Sequence, residues 1–170
     1  IFTSDNGGAL QFGAFNAETR DGKGSMYEGG LRVPFAARWP GKIAAGSRSA
    51  VAATSMDIFA TALEAAGVAA PADLDALSLL PVLTGKADEL PARDLYFVRR
   101  EGAGFKGKTS QALIRGPWKV LQNTPTGPLE LYNLEADKLE ADPTNKAAAP
   151  RLEELGEALK RQMGRAVPWQ

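Results

Sequence analysis

Apolar and polar positions divide this chain into two stretches of different character. Ile1-Phe2-Thr3 reads as a short apolar strand running into the turn Ser4-Asp5-Asn6-Gly7-Gly8. Residues 9–21 mix Gly, Ala, Phe and Asn without a sustained period and predict a loop, which the glycines around Lys23 continue. Residues 31–39 are β-rich and partly alternating, so they predict a strand with Pro34 near its start or at an edge, closed by Pro40-Gly41. The period then lengthens. Ile58, Phe59, Ala62, Leu63 and Ala66 share one broad face of a helix over 54–67, with Ser55 as N-cap and Gly67 as stop. Pro71, Pro81, Gly85 and Pro91 then punctuate a linker holding a short apolar turn at 77–83, and the domain boundary is expected near 84–93.

Beyond that boundary the spacing is mostly that of strands. Segments 94–98, 111–115, 118–122 and 129–134 each read as a strand, and Gly116-Pro117 joins the second and third as a hairpin. A final helix is expected from about Pro150, with Leu152, Leu155, Leu159 and Met163 forming a narrow apolar stripe. Laid across one face of an antiparallel sheet, that helix completes a small α+β unit.

Composition narrows the chemistry. With 170 residues and 44% apolar content there is enough material for a real core. Lys plus Arg equals Asp plus Glu at 20 each, so no net charge favours nucleic acid or an anionic membrane. Cysteine and histidine are both absent, which removes disulfides, thiolate or imidazole metal ligands, a cysteine nucleophile and a histidine base from this chain. No run approaches the ~20 apolar residues of a membrane span, and no signal peptide opens the chain. A start in mid-strand, without methionine, is what a piece of a longer protein would show.

Candidate chemistry concentrates near the start. A strand ending in Asp5-Asn6 at the carboxyl edge of a parallel sheet would offer two hard oxygen ligands to Ca²⁺ or Mg²⁺; the plain alternative is an Asn-Gly turn. Lys23, among glycines that let backbone and substrate approach, would offset charge on a small anion, unless it is simply a solvated loop lysine. Arg32 with Glu28 reads as a structural ion pair. Trp39, Trp118 and Tyr132 read as packing residues before sugar platforms. The charged glycine-bearing loop at 99–108 would either line a cleft or end a hairpin in solvent.

These segments, in order, resemble a known family. Phe2-Thr3-Ser4-Asp5-Asn6-Gly7-Gly8, Gly22-Lys23-Gly24-Ser25, Tyr27-Glu28-Gly29-Gly30-Leu31-Arg32-Val33-Pro34 and Arg38-Trp39-Pro40-Gly41-Lys42-Ile43 are similar to the second half of a type I sulfatase of the alkaline phosphatase superfamily. Ser55-Met56-Asp57, Leu83-Thr84-Gly85-Lys86, Trp118-Lys119 and Glu130-Leu131-Tyr132-Asn133-Leu134 continue the likeness. The resemblance implies an α/β plus α+β architecture, with residues 1–90 as the remainder of a large α/β domain and 91–170 as a small C-terminal domain. It implies that Asp5 and Asn6 bind Ca²⁺ or Mg²⁺ and that Lys23 contacts the sulfate of a carbohydrate or aryl ester.

The resemblance also implies what this chain lacks. The family's nucleophile is a formylglycine made within a Cys/Ser-x-Pro-x-Arg motif, and no such motif occurs here, so it is expected on a missing N-terminal half. The fragment alone is then inactive, and the parent is expected in the periplasm or outside the cell. Two other readings stay open at this level: a phosphate or phosphonate ester hydrolase of the same superfamily, and a non-catalytic carbohydrate-binding or packing module.

Overall fold

The structure is a computed structural model that describes residues 1–101 and 109–165; the expected loop at 99–108 therefore falls largely outside the described residues. The chain forms two compact units. One comprises Ile1–Asp5 with Pro34–Ala92, the other Asn6–Val33 with Arg93–Gln170.

In the first unit, β1 (Phe2–Thr3) pairs antiparallel with β2 (Phe35–Ala36), Phe2 opposite Ala36 and Thr3 opposite Phe35. The strand expected over 31–39 thus shrinks to two residues. Pro34 has no N–H to give a ladder, and its carbonyl is taken by the Thr3 hydroxyl at 3.0 Å. Beyond β2 the chain turns at once, Ile43 donating to the Trp39 carbonyl at 2.9 Å.

The helix expected over 54–67 is present as α2 (Asp57–Ala65), but its buried side differs from the expected one. Asp57, Ala60 and Thr61 are buried, whereas Phe59 is 54% exposed and Ala62 and Ala66 are also exposed. The reason is hydrogen bonding. Asp57 accepts from the backbone N–H of Thr54 at 2.7 Å and of Leu77 at 2.9 Å, and Thr61 Oγ1 accepts from Leu79 N–H at 2.9 Å. A polar helix side is therefore buried because it satisfies the backbone of the segment crossing it. Ser55, expected as the N-cap, is exposed and makes no capping bond; Asp57 reaches back to close the first turn instead. The short turn expected at 77–83 is the helix α3 (Leu80–Leu83), with Pro81 at its start.

The second unit holds a four-stranded antiparallel meander: β3 (Leu95–Arg100), β4 (Thr109–Arg115), β5 (Trp118–Gln122) and β6 (Glu130–Asn133), in that spatial order. The β4–β5 hairpin closes with Arg115 opposite Trp118, and Gly116 takes φ 54°, which a side chain would strain. Successive residues face opposite ways, so each inner strand feeds two cores. Leu113, Val120 and Leu131 lie under α4 (Ala149–Arg165), where Leu155, Ala158 and Leu159 meet them. Of the stripe expected on this helix, Leu155 and Leu159 are buried, Leu152 partly so, and Met163 is 43% exposed.

Ala112, Leu121 and Tyr132 face the other way, against Met26 and Tyr27. Here the cover is the glycine-rich segment and its single helical turn, α1 (Glu28–Leu31), which the spacing did not predict. Among the described residues no helix is long and apolar enough to cross a membrane.

Candidate functional site

The segment over the second face is knit backbone to backbone. Gly7 N–H donates to the Gly30 carbonyl at 3.0 Å, Lys23 N–H to the Gly8 carbonyl at 3.0 Å and Gly29 N–H to the Arg20 carbonyl at 2.9 Å. A Cβ on Gly7 would lie 1.8 Å from the Gly29 oxygen, and one on Gly29 would lie 2.1 Å from the Asp21 oxygen. These glycines therefore let the chain pack on itself; of the two that flank Lys23, which the sequence reading placed beside substrate, Gly22 would set a Cβ 2.4 Å from the Gly8 oxygen and Gly24 would set one against the Arg99 side chain. Asn16 pins the crossing, its Oδ1 accepting from Gly8 N–H at 2.8 Å while its Nδ2 donates to the Gly8 and Asp21 carbonyls.

The consequence for the candidate residues is specific. Asn6 leads directly into Gly7 and Gly8, so the Asn6 turn and the Lys23 backbone are bound to one another within the second unit. Lys23 is exposed, and its backbone N–H is held by the Gly8 carbonyl. Asp5 precedes Asn6 and is exposed as well. Their donor set, one carboxylate and one carboxamide, suits a hard divalent cation in kind. It falls short in number, because such ions take six or more oxygen ligands. Among the described residues no group of three or more acidic side chains is gathered for a metal ion. A cation held here would take its remaining protein ligands from elsewhere.

Beneath the Lys23 loop lies a buried charge cluster that the sequence reading missed. Lys119, on β5 and fully buried, places Nζ 2.9 Å from Glu28 Oε1 and 2.8 Å from Glu140 Oε1. Glu28 was expected to pair with Arg32; Lys119 takes that place, and Arg32 is exposed. Burial pushes the Glu140 carboxyl above its ordinary range, and the Lys119 ammonium opposes the shift. A signal for Lys119 was available: it shares the inward alternation of Leu121 in Trp118-Lys119-Val120-Leu121, where a lysine requires a buried counter-charge. Glu140 sits in an irregular turn and gave none.

Beside this cluster Tyr27 and Tyr132 both donate to Glu130 Oε2 at 2.7 Å, their rings edge to face at 6.3 Å. Asn123 donates to Glu130 Oε1 at 3.0 Å, and the Arg20 guanidinium stacks 3.8 Å over the Tyr27 ring. Burial, reinforced by Glu130, raises both tyrosine hydroxyls above their ordinary range. Tyr132 and Trp118 serve packing, Trp118 bordering the core under α4. Trp39 helps line a small apolar cavity of about 130 Å³ in the first unit, with Ile43, Ala62 and Leu83.

The second unit is thus a four-stranded sheet capped by a helix on one face and by a glycine-knit loop presenting a lysine on the other, and comparison with known proteins gives its class as the C-terminal part of a sulfatase. The chain belongs to the family described as N-sulphoglucosamine sulphohydrolase, C-terminal, whose model matches residues 20–167. It is 44% identical to human N-acetylgalactosamine-6-sulfatase over 126 residues, covering 71% of this chain and 22% of that protein. It is 31% identical to mouse steryl-sulfatase over 194 aligned residues, covering 93% and 31%. Among solved structures, Ps i-CgsB in complex with k-i-k-neocarrahexaose superposes with a TM-score of 0.82 at 30% identity, over 95% of this chain and 35% of that one. BT4656 in complex with D-glucosamine-2-N,6-O-disulfate gives 0.74 at 29% identity, over 95% and 33%. The chain thus spans well under half the length of these relatives, and its architecture is the C-terminal part of an alkaline-phosphatase-like sulfatase fold.

Proposed function

We propose that this chain is part of a sulfatase whose parent hydrolyses the sulfate esters of a carbohydrate. The family match over residues 20–167 carries this reading, and the sulfated sugar named with one solved neighbour favours a carbohydrate over an aryl substrate. In the parent, residues 1–90 would complete the α/β domain and 91–170 would form the small C-terminal domain. Both curated relatives named above are sulfatases, which favours sulfate over phosphate or phosphonate esters.

Within that reading Asp5 and Asn6 are the two metal ligands supplied by this chain, for Ca²⁺ or Mg²⁺. A bound divalent cation would polarise a sulfate oxygen. Lys23 draws the anionic ester into place and offsets charge on the transferring sulfuryl group, a task helped by a backbone that cannot drift. The nucleophile, a formylglycine, is assigned to the segment upstream. A polymeric sulfated glycan does not cross a membrane unaided, which favours a periplasmic or secreted parent.

The test is made on the parent enzyme. Its coding sequence upstream of Ile1 is expected to contain a Cys/Ser-x-Pro-x-Arg motif, and the purified enzyme to release sulfate from sulfated oligosaccharides. Chelation should abolish turnover, and Lys23→Ala should lower kcat/KM by about 10²-fold or more. Absence of that motif, or turnover of phosphate esters in preference to sulfate esters, would overturn the proposal.

A further inference from the structure

Both ends of the loop that carries Lys23 are fastened to a single residue, Glu140. At the outgoing end Arg20 donates from Nη1 to the Glu140 carbonyl; at the returning end the Glu28 backbone N–H donates to Glu140 Oε2 at 2.6 Å. The neck between them is closed by Gly29 N–H on the Arg20 carbonyl. Glu140 is itself held at 2.8 Å by Lys119, which rises from an inner strand of the sheet and binds the Glu28 carboxylate as well. At the crown of the loop the Gly24 carbonyl accepts from Arg99 on β3.

This arrangement is costly. Glu140 is fully buried and sits at φ 51°, and Asp21 inside the loop sits at φ 63°. Left-handed backbone at a residue other than glycine is strained and persists only where its surroundings enforce it. A buried ion pair is moreover a poor stabiliser, since apolar side chains of similar volume often fill such a space as well or better. What they cannot supply is a carboxylate acceptor for the Glu28 N–H. That N–H donates to the Glu140 carboxylate, Arg20 donates to the backbone carbonyl of the same residue, and the stretch between Arg20 and Glu28 carries Lys23.

We infer that Glu140, held by Lys119, is a positioning residue for Lys23: it clamps both ends of the loop and so sets where the ammonium meets the anion. The inference rests on the reading of Lys23 as the sulfate contact. Glu140 touches no substrate in this scheme and acts through the loop alone. A displacement of about 1 Å at a reacting group is enough to cost up to roughly 10²-fold in rate, so a loosened clamp has a measurable effect.

The experiment is a double-mutant cycle in the full-length parent: wild type, Lys23→Ala, Glu140→Gln and the double variant, assayed for kcat and KM on a sulfated oligosaccharide well below each melting temperature. Glu140→Gln is expected to lower kcat about tenfold or more, with KM changed less, because the glutamine cannot pair with the Lys119 charge. In the Lys23→Ala background the same change should alter kcat by under about twofold, since the group it positions is gone. An equal loss in both backgrounds would make Glu140 a support of the fold only and overturn the inference. If Lys23→Ala alone leaves turnover intact, the reading of Lys23 falls, and the inference falls with it. Should Glu140→Gln fail to fold, Arg20→Lys cuts the other fastening at a half-buried site and enters the cycle in its place, with the same two outcomes.

Discussion

The two faces of the four-stranded sheet are sealed by opposite means. Under α4 the seal is hydrocarbon: Leu113, Val120 and Leu131 against Leu155 and Leu159, each 0 or 1% exposed. On the other face a smaller apolar cluster with Met26, Ala112 and Leu121 adjoins a strand lysine set between two glutamates and a pair of tyrosines sharing one carboxylate oxygen. An apolar contact is non-directional and tolerates sliding; a buried charged hydrogen bond fixes distance and angle but must be complete to be tolerated. The α4 face is suited to stability, and the loop face to holding Lys23 in one place.

The sharpest break in this comparison is expected from Lys119→Ala in the full-length chain. It leaves Glu28 and Glu140 buried without their cation, which should cost about 3–5 kcal/mol by denaturant titration. Changing Lys119 to Met together with Glu28→Gln and Glu140→Gln should recover much of that loss. If the triple variant stays as unstable as Lys119→Ala, the loop face is holding the fold rather than the loop. On the other face, Leu155→Ala should cost about 2–5 kcal/mol, while Met163→Ala on the same helix should stay within about 0.5 kcal/mol. Equal losses at the two positions would mean that the helix packs differently from the structure described.

The smallest effect is expected at Tyr132. Replacing it by Phe removes a hydroxyl that donates to Glu130 and should cost about 1–2 kcal/mol at neutral pH. Its dependence on pH has a definite sign. Burial raises the folded hydroxyl above its ordinary value of 10.0, so its contribution is complete below pH 10.0 and is lost as pH rises beyond it. Melting temperatures taken from pH 8 to pH 11 should therefore fall less steeply for Tyr132→Phe than for the wild type. A parallel decline would show that Tyr132 ionises as freely in the fold as in the unfolded chain.

Legibility from sequence followed the range of the interaction. The strands β3 to β6 and the helix α4 were readable because period-2 and period-3.6 spacing encodes a single buried face, and Gly116-Pro117 encodes its own turn. The helix α2 was found, but its expected apolar face was wrong: Asp57 and Thr61 are buried by bonds to residues about twenty positions away, which spacing cannot anticipate. Leu31 looked like the start of a strand because β-rich composition carries no record of the helical turn it closes at α1. Lys119 was half legible, as an inward lysine whose partners were unnamed.

The sequence alone determined the strands β3 to β6 and the helix α4, the ordered segments that resemble a sulfatase, and the absence from this chain of a cysteine, a histidine or a Cys/Ser-x-Pro-x-Arg nucleophile motif. Those depend on local periodicity and residue identity. Only the tertiary structure decided that Gly7, Gly22 and Gly29 pack against backbone, and that Glu28 and Glu140 converge on Lys119 across 91 and 21 positions of sequence respectively. It also decided that one residue in an irregular turn grips both ends of the Lys23 loop. The physical reason is that burial of charge is settled by the whole surrounding shell, and no segment of the chain carries that shell within itself.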